Sequence, residues 1–216
     1  MFQRMFQRIL KHCDGDVKSV ITKPDCDWLA DCAHLSLIKL CNDGKYTVDA
    51  MNGAANSGHL HIIEWLHKNR SEGCTKEAMD FAAGNGYLDV VEWLHNNRSE
   101  GCTTDAMDWA SGNKHLDVIE WLHENRLEGC TTNAIDFAAQ YGYLDIIEWL
   151  HKNRSEGCTE DAIDFAAQYG HLDVIEWLYE NRSEGCSSKS LYVANLNGYT
   201  EISDYLKKTG LCTIGW

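Results

Sequence analysis

The sequence predicts an all-α solenoid of stacked helix pairs, elongated and curved, with about six to seven repeats. Three observations predict it. A 28-residue unit recurs five times without a gap, over 47–74, 75–102, 103–130, 131–158 and 159–186. Each unit holds two short stretches of helical periodicity, and neither can bury its apolar face alone. The 216 residues contain one proline, Pro24, so no proline interrupts a helix in the repeats.

The elements follow in order. Residues 1–21 ("MFQRMFQRILKHC" and onward) carry Arg and Gln among their apolar residues and lack a small-residue cleavage site. They read as an amphipathic helical stub and not as a signal peptide. Residues 22–46 hold a degenerate capping repeat in "DCDWLADCAHLSLIKLCND", the five full units span 47–186, and a capping repeat with a tail fills 187–216.

Within the unit, numbered 1 to 28, Thr at position 1 is a good helix N-cap and Asp or Glu at position 3 suits a helix N-terminus. A first helix runs over about positions 2–11. Positions 4, 5, 8 and 9 form its apolar face, and positions 2, 3, 6 and 10 form a polar stripe opposite. Gly at position 12 in four of the five units suits a helix-ending turn. A second helix follows over about positions 14–23. Positions 16, 17 and 20 form its buried arc, and positions 15, 18 and 22 face solvent. Trp at position 19 sits half covered at the edge of that stripe. "NRSEGC" then leads to the next Thr. The last copy carries Thr200 and Ser203 where the others have Leu and Ile or Val, which suits an end whose outer face meets water.

"DFAAQYGHLDVIEWL" (164–178) resembles the "HLAAxxGHLEVVKLL" stretch of the ankyrin repeat: the Ala pair, the Gly before His-Leu and the two branched residues coincide. The resemblance covers 47–208 clearly and 22–46 weakly. The closeness of the copies resembles the expanded ankyrin families of protists and large DNA viruses. Two departures stand out. The unit is 28 residues against the family's usual 33 or so, and "NRSEGC" leaves little room for a β-hairpin finger. The family's "TPLH" is absent, and Asp80, Asp108, Asp136 and Asp164 stand at its His position. The resemblance implies helix pairs joined by blunt turns, and protein recognition through the concave first-helix surface.

Several ladders repeat with the unit. Cysteines fall at 74, 102, 130, 158 and 186, and His recurs at positions 13 and 21. Equivalent positions in neighbouring repeats lie about 10 Å apart, too far for a disulfide or a shared metal. Small apolar plugs and polar-tipped packing are the expected roles. The Trp ladder (Trp65, Trp93, Trp121, Trp149, Trp177) is expected to cover the seams between repeats. Arg at position 24 and Glu at position 26 are invariant among the five units. They are expected to pair, with the Arg side chain also capping second-helix carbonyls.

The bulk numbers limit function. A net charge of −14 argues against a nucleic-acid partner. Ten cysteines without a secretory signal point to a reducing, cytoplasmic setting with free thiols. No apolar run is long enough to span a membrane. No nucleophile elbow, phosphate loop or zinc-protease motif occurs, so no catalytic residue, cofactor or metal is expected. The function that the resemblance implies is non-catalytic protein–protein interaction through the concave first-helix face, expected of a monomer. The partner is unknown, with a basic surface matching the acid ladder Glu77, Asp80, Asp105, Asp108, Asp136, Asp161 and Asp164. Positions 2, 3, 7, 10 and 11 vary most between copies, which adds Trp109, Asn113, Gln140, Tyr141, Gln168 and Tyr169. Alternatives are an adaptor, such as a ubiquitin-ligase substrate adaptor whose other module is vestigial or missing, and a thiol/His metal-binding protein.

Overall fold

The computed structural model describes residues 26–31 and 46–211. The expected stub over 1–21, most of the capping repeat over 22–46, the tail beyond 211, Pro24, Cys13, Cys32, Cys41 and Cys212 lie outside the described residues. The described residues are α-helical with short connections, and no strand occurs among them. The chain divides into two units, Met1–Thr75 and Lys76–Trp216.

In the first unit, α1 (Cys26–Asp31) packs on α2 (Val48–Asn56), which pairs with α3 (Leu60–Asn69). Thr47 caps α2, its Oγ accepting the Asp49 N–H at 3.1 Å. Ala50, Met51, Ala54 and Ala55 on α2 and Ile62, Ile63 and Leu66 on α3 are buried.

The second unit continues with α4 (Glu77–Gly84), α5 (Leu88–Asn97), α6 (Asp105–Gly112), α7 (Leu116–Asn125), α8 (Asn133–Gln140), α9 (Leu144–Asn153), α10 (Asp161–Tyr169), α11 (Leu172–Asn181), α12 (Ser188–Leu196) and α13 (Thr200–Thr209). The first helices α4, α6, α8, α10 and α12 pack directly on one another along a row, and each second helix packs mainly on its own partner. Small side chains allow this. Ala at positions 4 and 8 is fully buried, with Met or Ile at position 5 filling the gap. The second helices bury positions 16, 17 and 20, as in Val118, Ile119 and Leu122. Each buried aliphatic side chain of this size contributes about 1.5–3 kcal/mol.

The Thr caps act as expected: Thr103, Thr131 and Thr159 accept the N–H two residues on, each at 3.1 Å. The turn at position 12 is left-handed in every unit. Lys114, the one non-Gly residue there, adopts φ 65°.

The helix-end expectation for Arg is corrected. The last second-helix carbonyls are met by Asn at position 23, whose Nδ2 donates to the Trp carbonyl four residues back, as Asn97 does to Trp93 at 2.8 Å. The Arg meets these carbonyls through its backbone N–H, as Arg126 does with the Leu122 carbonyl at 2.9 Å. The guanidinium of Arg126, Arg154 and Arg182 instead reaches the preceding repeat.

The last repeat also departs from expectation. Ser203 does not face outward. It occupies the core position that Ile119 and Ile147 fill elsewhere and is 2% exposed. Its hydroxyl has no hydrogen-bond partner among the described residues. What this end exposes instead is Tyr192 and Leu196, at 66% and 69%.

Candidate protein-interaction face

Four of the residues expected on the exposed acid ladder are not there. Asp80, Asp108, Asp136 and Asp164 are between 1% and 6% exposed. Each accepts hydrogen bonds from the residue that opens the next repeat. Asp108 Oδ1 accepts the Thr131 N–H at 2.8 Å and its Oδ2 accepts the Thr131 hydroxyl at 2.6 Å. Asp80 holds Thr103, and Asp136 holds Thr159, in the same way. Asp164 binds Ser187 through N–H and hydroxyl, and the Ser190 hydroxyl as well.

In the first unit Asp27 grips Thr47 at 3.0 and 2.6 Å, and Asn52 replaces the carboxylate before Thr75. A helical wheel places position 6 among polar neighbours, but the next first helix packs over it. These aspartates are latches between repeats. Burial raises Asp80, Asp108 and Asp136 above the ordinary carboxylate range, against the opposing effect of the Thr donors.

A second repeated contact lies on the connector side. Arg at position 24 pairs with Glu two residues on, from Arg70–Glu72 through Arg182–Glu184. The Arg126 guanidinium also lies 3.3 Å from His95 Nδ1 of the preceding repeat, and Arg154 and Arg182 meet His123 and His151 alike. A side-chain carbon on Gly101 would sit 2.5 Å from Arg126 Nη2, so the turn of one repeat is shaped to take the next repeat's Arg. For Glu72 the Arg70 hydrogen bond leads in lowering the carboxyl. For Glu100, Glu128, Glu156 and Glu184 burial opposes ionisation, but the Arg and backbone donors outweigh it and the net direction is down.

The thiols sit inside this contact. Cys74, Cys102, Cys130 and Cys158 are buried and in no disulfide, whereas Cys186 is disulfide-bonded and so departs from the free-thiol expectation. Burial pushes the Cys102 thiol up to about 11 and those of Cys130 and Cys158 to about 12, so a reactive thiolate is suppressed. Among the described residues no group of three His, Cys, Asp or Glu is placed to hold a metal ion. The Trp ladder packs along the seams. Trp121, Trp149 and Trp177 stand edge-on to His95, His123 and His151 of the preceding repeat, 5.1–5.4 Å between centroids.

The remaining candidates do share a face of the second unit. Positions 3, 7 and 11 of a helix lie one turn apart on one side. Glu77, Asp105 and Asp161 are exposed at position 3. Trp109 is half-buried at position 7, with Phe81 stacked on it at 5.8 Å and 10°. Asn113, Tyr141 and Tyr169 are exposed at position 11, the tyrosines at 51% and 47%. Gln140 and Gln168 are half-buried beside them. Trp109, Gly112, Asn113, Phe137, Gln140 and Tyr141 line a depression of about 260 Å3. The sequence reading missed Phe81, Phe137 and Phe165. The signal was an aromatic at position 7 in four consecutive repeats. The greater part of the exposed acid lies on the second helices, where Asp89, Glu92, Asp117, Glu120, Asp145, Glu148, Asp173 and Glu176 are all exposed.

Stacked helix pairs with latches between repeats, and Arg–His clamps at three of the junctions, define a helical repeat protein, with no strand in the connectors among the described residues. Residues 53–95 and 97–151 match the family model described as ankyrin repeats (many copies), and over that stretch the chain is built of ankyrin repeats. None of the curated proteins matches it. Ankyrin repeats are generally protein–protein interaction modules, and the family is typically non-enzymatic. No helix among the described residues is long and apolar enough to cross a membrane.

Proposed function

We propose that the chain is a non-catalytic module that binds a partner protein through the first-helix face of its second unit. The observation that supports this reading is the aromatic and amide row at positions 7, 10 and 11, half-buried at 7 and 10 and exposed at 11. Large rings at Tyr141 and Tyr169 stay half in solvent although the surrounding helices are fully packed. Tyrosine and tryptophan in such settings are the side chains that most often anchor protein interfaces. The latch aspartates drop out of the binding set. The contacting residues are Glu77, Asp105, Trp109, Asn113, Gln140, Tyr141, Asp161, Gln168 and Tyr169.

The test compares proteins captured by the intact chain, by Tyr141→Ser/Tyr169→Ser, and by Glu120→Gln/Glu148→Gln on the second-helix side. Both pairs are exposed, so folding is expected to survive and is checked by melting. Partners lost only with the tyrosine pair support the face, and partners lost only with the glutamate pair reject it.

A further inference from the structure

The chemistry of the partner follows from how the first-helix face is built. Positions 3, 7 and 11 read Glu77–Phe81–Asn85, Asp105–Trp109–Asn113, Asn133–Phe137–Tyr141 and Asp161–Phe165–Tyr169 on α4, α6, α8 and α10. Three of these four helices therefore set an exposed carboxylate one turn before a half-buried ring. No Lys or Arg occupies positions 3, 7, 10 or 11 on them.

The rings are held in place by packing. Trp109 stacks on Phe81, and its Cβ lies 3.0 Å from where a side-chain carbon on Gly84 would sit. Phe137 packs over Gly112 with the same 3.0 Å clearance. Trp109 and Phe137 thus flank the 260 Å3 depression, with Gly112 between them and Tyr141 beside it. Asp105 stands one turn away on the same helix face as Trp109.

An aromatic-lined depression with a carboxylate one helix turn before its tryptophan complements a cationic side chain with a flat head. We propose that this face binds an extended, arginine-bearing segment of a partner protein, with an arginine lying between Trp109 and Phe137 and its guanidinium facing Asp105. This rests on the helix-face reading above. Guanidinium is the fitting cation because it stacks on rings and pairs with a carboxylate through two N–H donors, while its aliphatic stem covers apolar surface. The segment is extended because neighbouring repeats lie about 10 Å apart and three residues of extended chain span about 10 Å. Every third residue then meets the same position of the next repeat, so a second arginine reaches the Asp161–Phe165 stripe two repeats on. The carboxylates of the second helices speed encounter with any cation, but none of them is on the helix face that carries Trp109 and Phe137.

The experiment measures anisotropy of a fluorescein-labelled peptide, Gly-Arg-Gly-Gly-Arg-Gly-Gly-Arg-Gly, with the full chain at fixed ionic strength. The wild-type chain is expected to bind it. Asp105→Asn/Asp161→Asn is expected to weaken binding at least about tenfold, and Asp117→Asn/Glu148→Gln, an equal loss of charge on the second helices, less than about threefold. The Lys-for-Arg peptide is expected to bind several-fold more weakly, because stacking is lost. No binding by the wild-type chain, equal weakening by the two double variants, or equal binding of the Lys peptide overturns the proposal. A Leu-for-Arg peptide separates it from the reading it rests on. If the Leu peptide binds the same face and the Arg peptide does not, the arginine inference fails and the helix-face reading stands. If the Arg peptide binds and responds only to the second-helix variant, both fail.

Discussion

Asp108 is a carboxylate held 1% exposed in a row of helices, a position that demands partners for both oxygens. Thr131 supplies them, and its Oγ in turn accepts the Asn133 N–H, so one hydroxyl joins two repeats and caps a helix. Replacing Asp108 with Ala strands the Thr131 donors and is expected to cost about 1–3 kcal/mol. Asp108→Asn is expected to stay within about 1 kcal/mol of the wild type, since an amide can fill the same role. The chain holds the precedent: Asn52 donates from Nδ2 to Thr75 Oγ at 2.9 Å and accepts the Thr75 N–H at 3.0 Å. Urea unfolding of the two variants checks this, and an Asn variant as weak as the Ala one would refute the latch.

The carboxylates also divide by sign. Asp80, Asp108 and Asp136 are raised from 3.8 by burial, so their contribution to stability is largest below 3.8 and falls as pH rises through the folded values. Glu100, Glu128, Glu156 and Glu184 are lowered from 4.5, so they stabilise the fold above 4.5 and this is lost as pH falls through their folded values. Glu128→Gln is therefore expected to make the acid-side fall in melting temperature shallower between about pH 5 and 3. An unchanged profile would show that the Arg126–Glu128 pair contributes nothing to the acid response.

At the scale of the helices, the second of each pair was legible to the residue. The span expected at positions 14–23 is α5, Leu88–Asn97, because its aliphatic arc is strictly periodic and its Gly turn is local. The first helix was legible in extent but not in its facing. Periodicity describes one helix, whereas position 6 is decided by the neighbour lying across it. A trace did exist in the sequence. Asp or Asn at position 6 is followed by Thr or Ser 23 residues later at every junction from Asn52–Thr75 to Asp164–Ser187. Ser203 was misread for the related reason that a polar residue in a core column looks like an outward one. Its orphaned hydroxyl predicts that Ser203→Val raises stability by about 1–2 kcal/mol, measured by thermal melting. A lowered melting point would mean the hydroxyl has a partner beyond the described residues.

At the scale of the molecule, the net charge of −14 was visible from the start, but its placement was not. Within the second unit the exposed carboxylates lie chiefly on the second helices, and the most exposed rings, Tyr141, Tyr169 and Tyr192, lie on or at the end of the first. Only the packing shows which acids are consumed by the junctions. Each repeat there touches mainly its neighbours, so stability is a sum over junctions, and among the described helices α12 and α13 meet a neighbouring repeat on one side only. Amide hydrogens of α12 and α13 are therefore expected to exchange faster than those of α6 to α9. Uniform protection across the second unit would contradict this additive picture.

Each latch splits its two halves between neighbours, with the acceptor at position 6 of one repeat and the donor at position 1 of the next. Recombination that adds or deletes one 28-residue period therefore rejoins a matching acceptor and donor at the new boundary. Arrays of different length can arise from this gene segment without any new interface having to evolve.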